Sequence, residues 1–197
     1  MAPLEYVTDF ADQAVMLPLA LVVGIAMLAA GWRRGAFAWA VAIGGMLGVM
    51  LVLKLWAGTC GVLVFGDQMQ SPSGHTASAA AIYGGVLALL LRRAWPGVPL
   101  AVPCAAALAV LIGTTRVLLG AHSVPEVVVG GIVGIVAATV LVRLAGPVPP
   151  NLKLRALPSA AAILGILLVF HGLHMPAEAA IRKVRITWLP FGLCRGS

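Results

Sequence analysis

Two short stretches of this sequence hold residue types that can do chemistry together. The first reads Pro72-Ser73-Gly74-His75 and runs at once into an apolar stretch beginning Thr76-Ala77-Ser78. Ser73 and Gly74 precede a predicted helix start, where unpaired N–H groups and the helix dipole favour an anion. His75 falls in the first turn, facing whatever anion binds there. An ordinary loop-to-helix cap with an incidental histidine accounts for the same residues. The second stretch runs from Thr115 and Arg116 to His122 and Glu126. A carboxylate four residues after a histidine can hold the ring if the turn is helical, fixing its tautomer and favouring positive charge on it. Ser123-Val124-Pro125-Glu126 is also a capping box with proline at the first helical position, and Arg116 can be read as a cation snorkelling to an interface.

The set is more specific than its members. Lys54, His75, Arg116, His122 and Glu126 gather at one face of a membrane once the helices around them are placed, and ionisable groups at such depth mark functional sites. Two histidines, two cations and one carboxylate suit phosphoryl transfer without a metal. The cations hold phosphate oxygens, one imidazole attacks, and the other protonates the leaving oxygen. A zinc site is the competing reading. Lys54 and Arg116 oppose it, and no third ligand is evident.

The elements that position these residues are membrane helices. Of 197 residues, 61% are apolar and 10% charged, against about 45–50% and roughly 25% in soluble domains. The apolar residues form six blocks long enough to span, at 12–31, 37–53, 75–91, 98–119, 124–145 and 157–173, each predicted helical because lipid satisfies no backbone hydrogen bond. The expected fold is an all-α, polytopic membrane helix bundle, with residues 1–197 forming one membrane domain. Glu5, Asp9 and Asp12 precede the first block, so it does not read as a cleaved signal peptide.

Charge sorts by side. The loops after blocks one, three and five carry Arg33, Arg34, Arg92, Arg93, Arg143, Lys153 and Arg155; the opposite side carries Glu5, Asp9, Asp12, Asp67 and Glu126 with Lys54 and Arg116. The positive-inside rule puts the second side outside the cytoplasm. The sixth block departs from this pattern, because if it spans, Arg182, Lys183, Arg185 and Arg195 lie outside as well. It reads as spanning, with a re-entrant or interfacial segment as the alternative. The net charge of +7 comes with no nucleic-acid motif, so that partner is set aside. Gly44 and Gly48, and Gly130 and Gly134, are read as small residues for close helix packing. Cys60, Cys104 and Cys194 have no metal-ligand spacing. If the tail lies outside, a Cys60–Cys194 bridge would hold it near Lys54, although a basic tail lying on anionic lipid explains its charges too.

The Pro72–His75 tetrapeptide, with Arg116, five residues, His122, three residues and Glu126 further along, resembles the type-2 phosphatidic acid phosphatase family, whose active sites are similar to those of vanadium haloperoxidases. The resemblance covers a core of about 54–145. It implies that His122 is the nucleophile that becomes phosphohistidine, that Glu126 stands where the family has aspartate and orients His122, and that His75 is the general acid. Lys54, Ser73, Gly74 and Arg116 resemble phosphate binders, and Thr115 replaces a serine. One family element is incomplete. Lys54 matches its lysine, but Gly61 and Val62 occupy its arginine-proline positions, and a bidentate guanidinium is not readily replaced. Arg182, Lys183 and Arg185 of the basic tail (177–197) are the candidates to supply that cation.

The resemblance implies a membrane-embedded lipid phosphatase needing no metal or other cofactor. It would hydrolyse a phosphomonoester or pyrophosphate at the outer leaflet of a bacterial inner membrane, its site facing the periplasm or exterior. The alternatives are a degenerate protein that binds or translocates phospholipid without hydrolysis, and a lipid phosphotransferase.

Overall fold

A computed structural model describes residues 3–61, 69–95, 97–149 and 156–188. Val62, Asp67, Lys153, Arg155, Cys194 and Arg195, and with them the Cys60–Cys194 pairing, lie outside the described residues, as do the side chains of Arg93 and Arg185. Cys60 is disulfide-bonded, and Cys104 is a free, buried thiol.

The chain is a helix bundle. A short α1 (Pro3–Asp9) leads into α2 (Gln13–Ala29), whose first turn is capped by Asp12 accepting from the Ala14 N–H at 2.8 Å. Then come α3 (Arg33–Trp56), which ends in a π-helical turn, and α4, formed by Gly74–Ser78, a π-helical Ala79–Gly84 and Gly85–Ala94 in succession. Next are α5 (Ala101–Leu118), α6 (Val124–Ala145), α7 (Ala156–Phe170) and α8 (Ala177–Trp188). Helix α6 is the centre, packing on α3, α4 and α5, and large apolar side chains such as Leu21, Phe37, Val110 and Ile132 point outward. An apolar exterior is the expected face of a bundle set in lipid.

Among the described residues, five helices are long and apolar enough to cross a membrane, against the six blocks expected: Pro3–Ala29, α3, Gly74–Arg92, α5 and α6. The first begins well before the expected residue 12. The sixth apolar block lies in α7, whose 15 described residues rise about 22 Å, against the roughly 30 Å of a hydrocarbon core. It stops because Gly172 adopts a left-handed φ of 81°. Even so, it brings the chain back to the end where α1 and α2 meet. The His171 ring nitrogen lies 3.0 Å from the Tyr6 carbonyl oxygen, and that of His174 lies 3.1 Å from Asp9.

The two ends of the bundle differ in charge as expected. At one end the C-terminal carbonyls of α6 accept from Trp32, Arg34 and Arg92 side chains at 2.8–3.1 Å, the two arginines being cations that meet the negative end of a helix dipole. Glu126 sits at the other end of α6, about 28 Å away at 1.5 Å per residue.

Glycines on α6 bring the first turn of α4 down onto it. A Cβ on Gly130 would stand 2.3 Å from the Ser73 carbonyl oxygen, and one on Gly134 would stand 2.5 Å from that of Ala77. The close packing expected of this pair is present. For Gly44 and Gly48 no such contact is seen among the described residues, where a Cβ at either would meet nothing within 4 Å.

Candidate active site

The turn from α5 to α6 carries the second stretch. Arg116 closes α5, and its carbonyl oxygen accepts from both the Ala121 and His122 N–H groups (3.0 and 3.3 Å), so the chain folds back within six residues. Gly120, at φ 65°, makes that reversal possible. Ser123 then caps α6 through a capping box with Glu126. Both readings of Glu126 hold at once. Its Oε2 accepts from the Ser123 N–H at 3.1 Å and lies 3.0 Å from His122 Nδ1. Its Oε1 does something the sequence did not suggest, accepting from the N–H groups of Gln70 and Ser71 at 2.8 and 2.7 Å. The Ser73 N–H also donates to the Glu126 carbonyl oxygen at 3.0 Å. Glu126 thus fastens the first stretch to the second.

His75, in the first turn of α4, faces a different carboxylate. Its Nε2 lies 3.5 Å from Asp12 Oδ2, while Asp12 Oδ1 is held by the N–H groups of Ala14 and Met175. A carboxylate anchored this way orients the imidazole beside it. Lys54, buried in the last turn of α3, directs its Nζ to the Ser71 hydroxyl at 3.0 Å and to the Glu178 carboxylate of α8. Ser71 in turn donates to Glu178 Oε2 at 3.0 Å.

These residues open onto two neighbouring cavities. The larger, of about 720 Å³, is lined by Lys54, Arg116, His122, Glu126, Glu178 and Arg182 among others. The smaller, about 290 Å³, holds Asp12, Gly74 and His75 and continues over Leu17, Met46 and Leu51 of α2 and α3. Lys54, Glu178 and Ile181 line both. Arg116 Nε is buried without a hydrogen-bond partner among the described residues. Burial, assisted by the Arg116 and Lys54 charges, pushes the His122 imidazole below its usual range against the opposing pull of Glu126. The ring is therefore neutral near pH 7. With Nδ1–H directed at Glu126, its Nε2 lone pair is available for attack.

Of the expected site residues, the structure brings Lys54, Arg116, His122, Glu126 and Arg182 to one cavity and Gly74 and His75 to the next. Ser73 lines neither. Its buried Oγ accepts from the Thr76 N–H and hydroxyl at 3.4 and 3.0 Å, as a helix cap. Thr115 is likewise turned inward, donating to the Ile112 carbonyl oxygen. Lys183 is exposed and lines neither cavity. Sequence reasoning missed Ser71, Glu178 and the role of Asp12. A signal existed for Glu178, which stands four residues before Arg182 on an amphipathic helix. Among the described residues, no group of three or more His, Cys, Asp and Glu side chains is arranged to hold a metal ion.

A family model of the PAP2 superfamily matches residues 36–148, a span that takes in Lys54, both stretches and α6. The chain belongs to this superfamily, which implies phosphatase-type activity on phosphate esters. No curated protein and no solved structure matches the chain.

Proposed function

We propose that this member of the PAP2 superfamily removes phosphate from a lipid phosphomonoester or pyrophosphate by way of a phosphohistidine on His122, without a metal. The carrying observation is His122, with its Nδ1 3.0 Å from the Glu126 carboxylate, in one cavity with Lys54 and Arg116, next to a second cavity that holds His75. In the first step His122 Nε2 attacks phosphorus and the bond to the leaving oxygen breaks, with His75 giving that oxygen its proton. Lys54 and Arg116 neutralise the charge on the remaining oxygens, and the unpartnered Arg116 Nε is a donor held ready for one of them. In the second step water attacks the phosphorus, the N–P bond breaks and His75 takes the proton back. Asp12 is a positioning residue that holds the His75 ring toward the leaving oxygen.

The wall of the smaller cavity supports a lipid substrate. The leaving group must lie on the His75 side, where Leu17, Met46 and Leu51 offer an apolar path toward the bundle's exterior. Arg182 takes the role of the cation absent at Gly61 and Val62. Segregation of Arg33, Arg34, Arg92 and Arg143 to the far end supports a site on the outer side, in a bacterial inner membrane.

Purified protein in detergent, given a panel of lipid phosphates with EDTA present, should release phosphate, and vanadate should inhibit by taking up a five-coordinate geometry in the site. Loss of turnover in chelator with recovery on adding a divalent ion would reject the metal-free mechanism. Absence of turnover on every lipid would favour a binding protein.

A further inference from the structure

We propose that Glu178 is a built-in phosphate surrogate: its carboxylate fills the phosphoryl position between His122 and His75, and substrate binds by displacing it together with the first turn of α8. The inference rests on the phosphatase reading above and adds to it a competitor supplied by the chain itself.

Three observations carry it. The first is the company the carboxylate keeps. Glu178 is bonded to the Lys54 ammonium and the Ser71 hydroxyl, and it lies within the electrostatic reach of Arg116 and His122. A phosphate oxygen seeks such donors. The second is position. The nucleophile faces one cavity and the general acid the other, with Lys54, Glu178 and Ile181 as the shared wall. In-line displacement needs attacking and leaving atoms on opposite sides of the phosphorus, so the phosphorus belongs where that wall stands. Lys54 comes from the core helix α3, whereas Glu178 and Ile181 both belong to α8. The third is exposure of the carboxylate. Lys54 is buried to 6% side-chain exposure, but Glu178 keeps 57%, so its carboxylate reaches in from the rim. Helix α8 rests mainly on α3 and the π-turn at its end.

The exchange leaves no orphaned charge. A phosphate dianion takes over Lys54 and Ser71, and Glu178 can pair with Arg182, one helical turn further along the same face. Arg182 also lines the larger cavity, so the turn of helix that withdraws the carboxylate keeps a cation beside the phosphate. In the resting protein only the fraction with Glu178 withdrawn is competent to bind, which weakens the apparent affinity for every anion by the same factor.

The test is calorimetric titration of the full chain in detergent with inorganic phosphate and with vanadate, for the wild type, Glu178→Gln and Glu178→Ala. Both variants should bind both anions about tenfold more tightly, a modest gain because the displaced carboxylate is itself more than half exposed, and KM for a lipid phosphate should fall in parallel. A Glu178 that served only to hold α8 in place would give the opposite, weaker anion binding and a lower unfolding temperature. Equal or weaker binding in both variants, in a protein that still hydrolyses lipid phosphate, overturns the surrogate and leaves the phosphatase reading standing. Failure of all three proteins to bind phosphate or vanadate, or to turn over, overturns both.

Discussion

Replacing Glu126 by glutamine changes one atom and removes one charge, and the hydrogen bonds around the carboxylate determine the consequence. Its two oxygens serve three backbone N–H groups and the His122 ring. Glutamine has one oxygen to offer. If that oxygen stays with Gln70 and Ser71, the amide N–H₂ faces the Ser123 N–H and His122 Nδ1. Ser123 then loses its acceptor, at about 1–3 kcal/mol. His122 can meet the amide only by accepting at Nδ1, which moves its proton to Nε2, the nitrogen that must attack. Holding a catalytic histidine in the wrong tautomer costs about 10³–10⁴ in rate, or about 4–5.5 kcal/mol of barrier. If the amide flips, the tautomer survives, but Gln70 and Ser71 both lose their acceptor and the turn before His75 is no longer fastened to α6. Either way Glu126→Gln should lose at least a thousandfold in kcat on a short-chain lipid phosphate and also unfold at lower temperature in detergent. Glu126→Asp keeps the charge and should retain more activity than the glutamine variant. A Gln variant within tenfold of wild-type kcat would refute the role assigned to this carboxylate.

Other substitutions probe the same geometry. His122→Ala should abolish turnover while the bundle stays folded and form no acid-labile phosphoenzyme on labelling with radioactive lipid phosphate, whereas His75→Ala should slow both steps; label retained by the His122 variant would move the nucleophile elsewhere. Attack needs neutral His122, and burial with Arg116 and Lys54 depresses its ionisation, so the acid limb of kcat/KM should lie below pH 6.5, activity being lost as pH falls through the folded-state value. Arg116→Gln removes one of those cations and should move the limb upward; an unmoved limb would show that another group controls it. Gly130→Ala forces a Cβ to within 2.3 Å of the Ser73 carbonyl oxygen and should cost about 1–3 kcal/mol of stability along with most activity, while Gly44→Ala should be tolerated in both measurements.

The helices were legible because lipid leaves the backbone no choice of partner, and α6 appears at the residues its apolar pattern marks. The His122–Glu126 pair was legible for a similar reason, since four residues in a first helical turn fix a distance. What could not be read is how the elements meet across the fold. Capping and orientation looked like rival roles for Glu126, because a sequence shows one acceptor position where the carboxylate has two oxygens, and the N–H groups of Gln70 and Ser71 arrive from more than fifty residues away. The same limit hid Asp12. In the sequence it is one of three acidic residues at the first block; one oxygen caps α2, and the other finds His75 only after α2 and α4 are side by side. The block at 157–173 shows a different limit. Its composition marks a helix, but not that a left-handed glycine ends it beside α1, after which the chain runs along the site end of the bundle. That short return lets α8 reach Lys54. Two positions in one helix, Glu178 and Arg182, thus place opposite charges at the candidate site, where Gly61 and Val62 stand in place of the arginine-proline of the first family element. If Glu178 is the phosphate surrogate proposed above, the helix that brings Arg182 to the larger cavity also brings a carboxylate that competes with the substrate for Lys54.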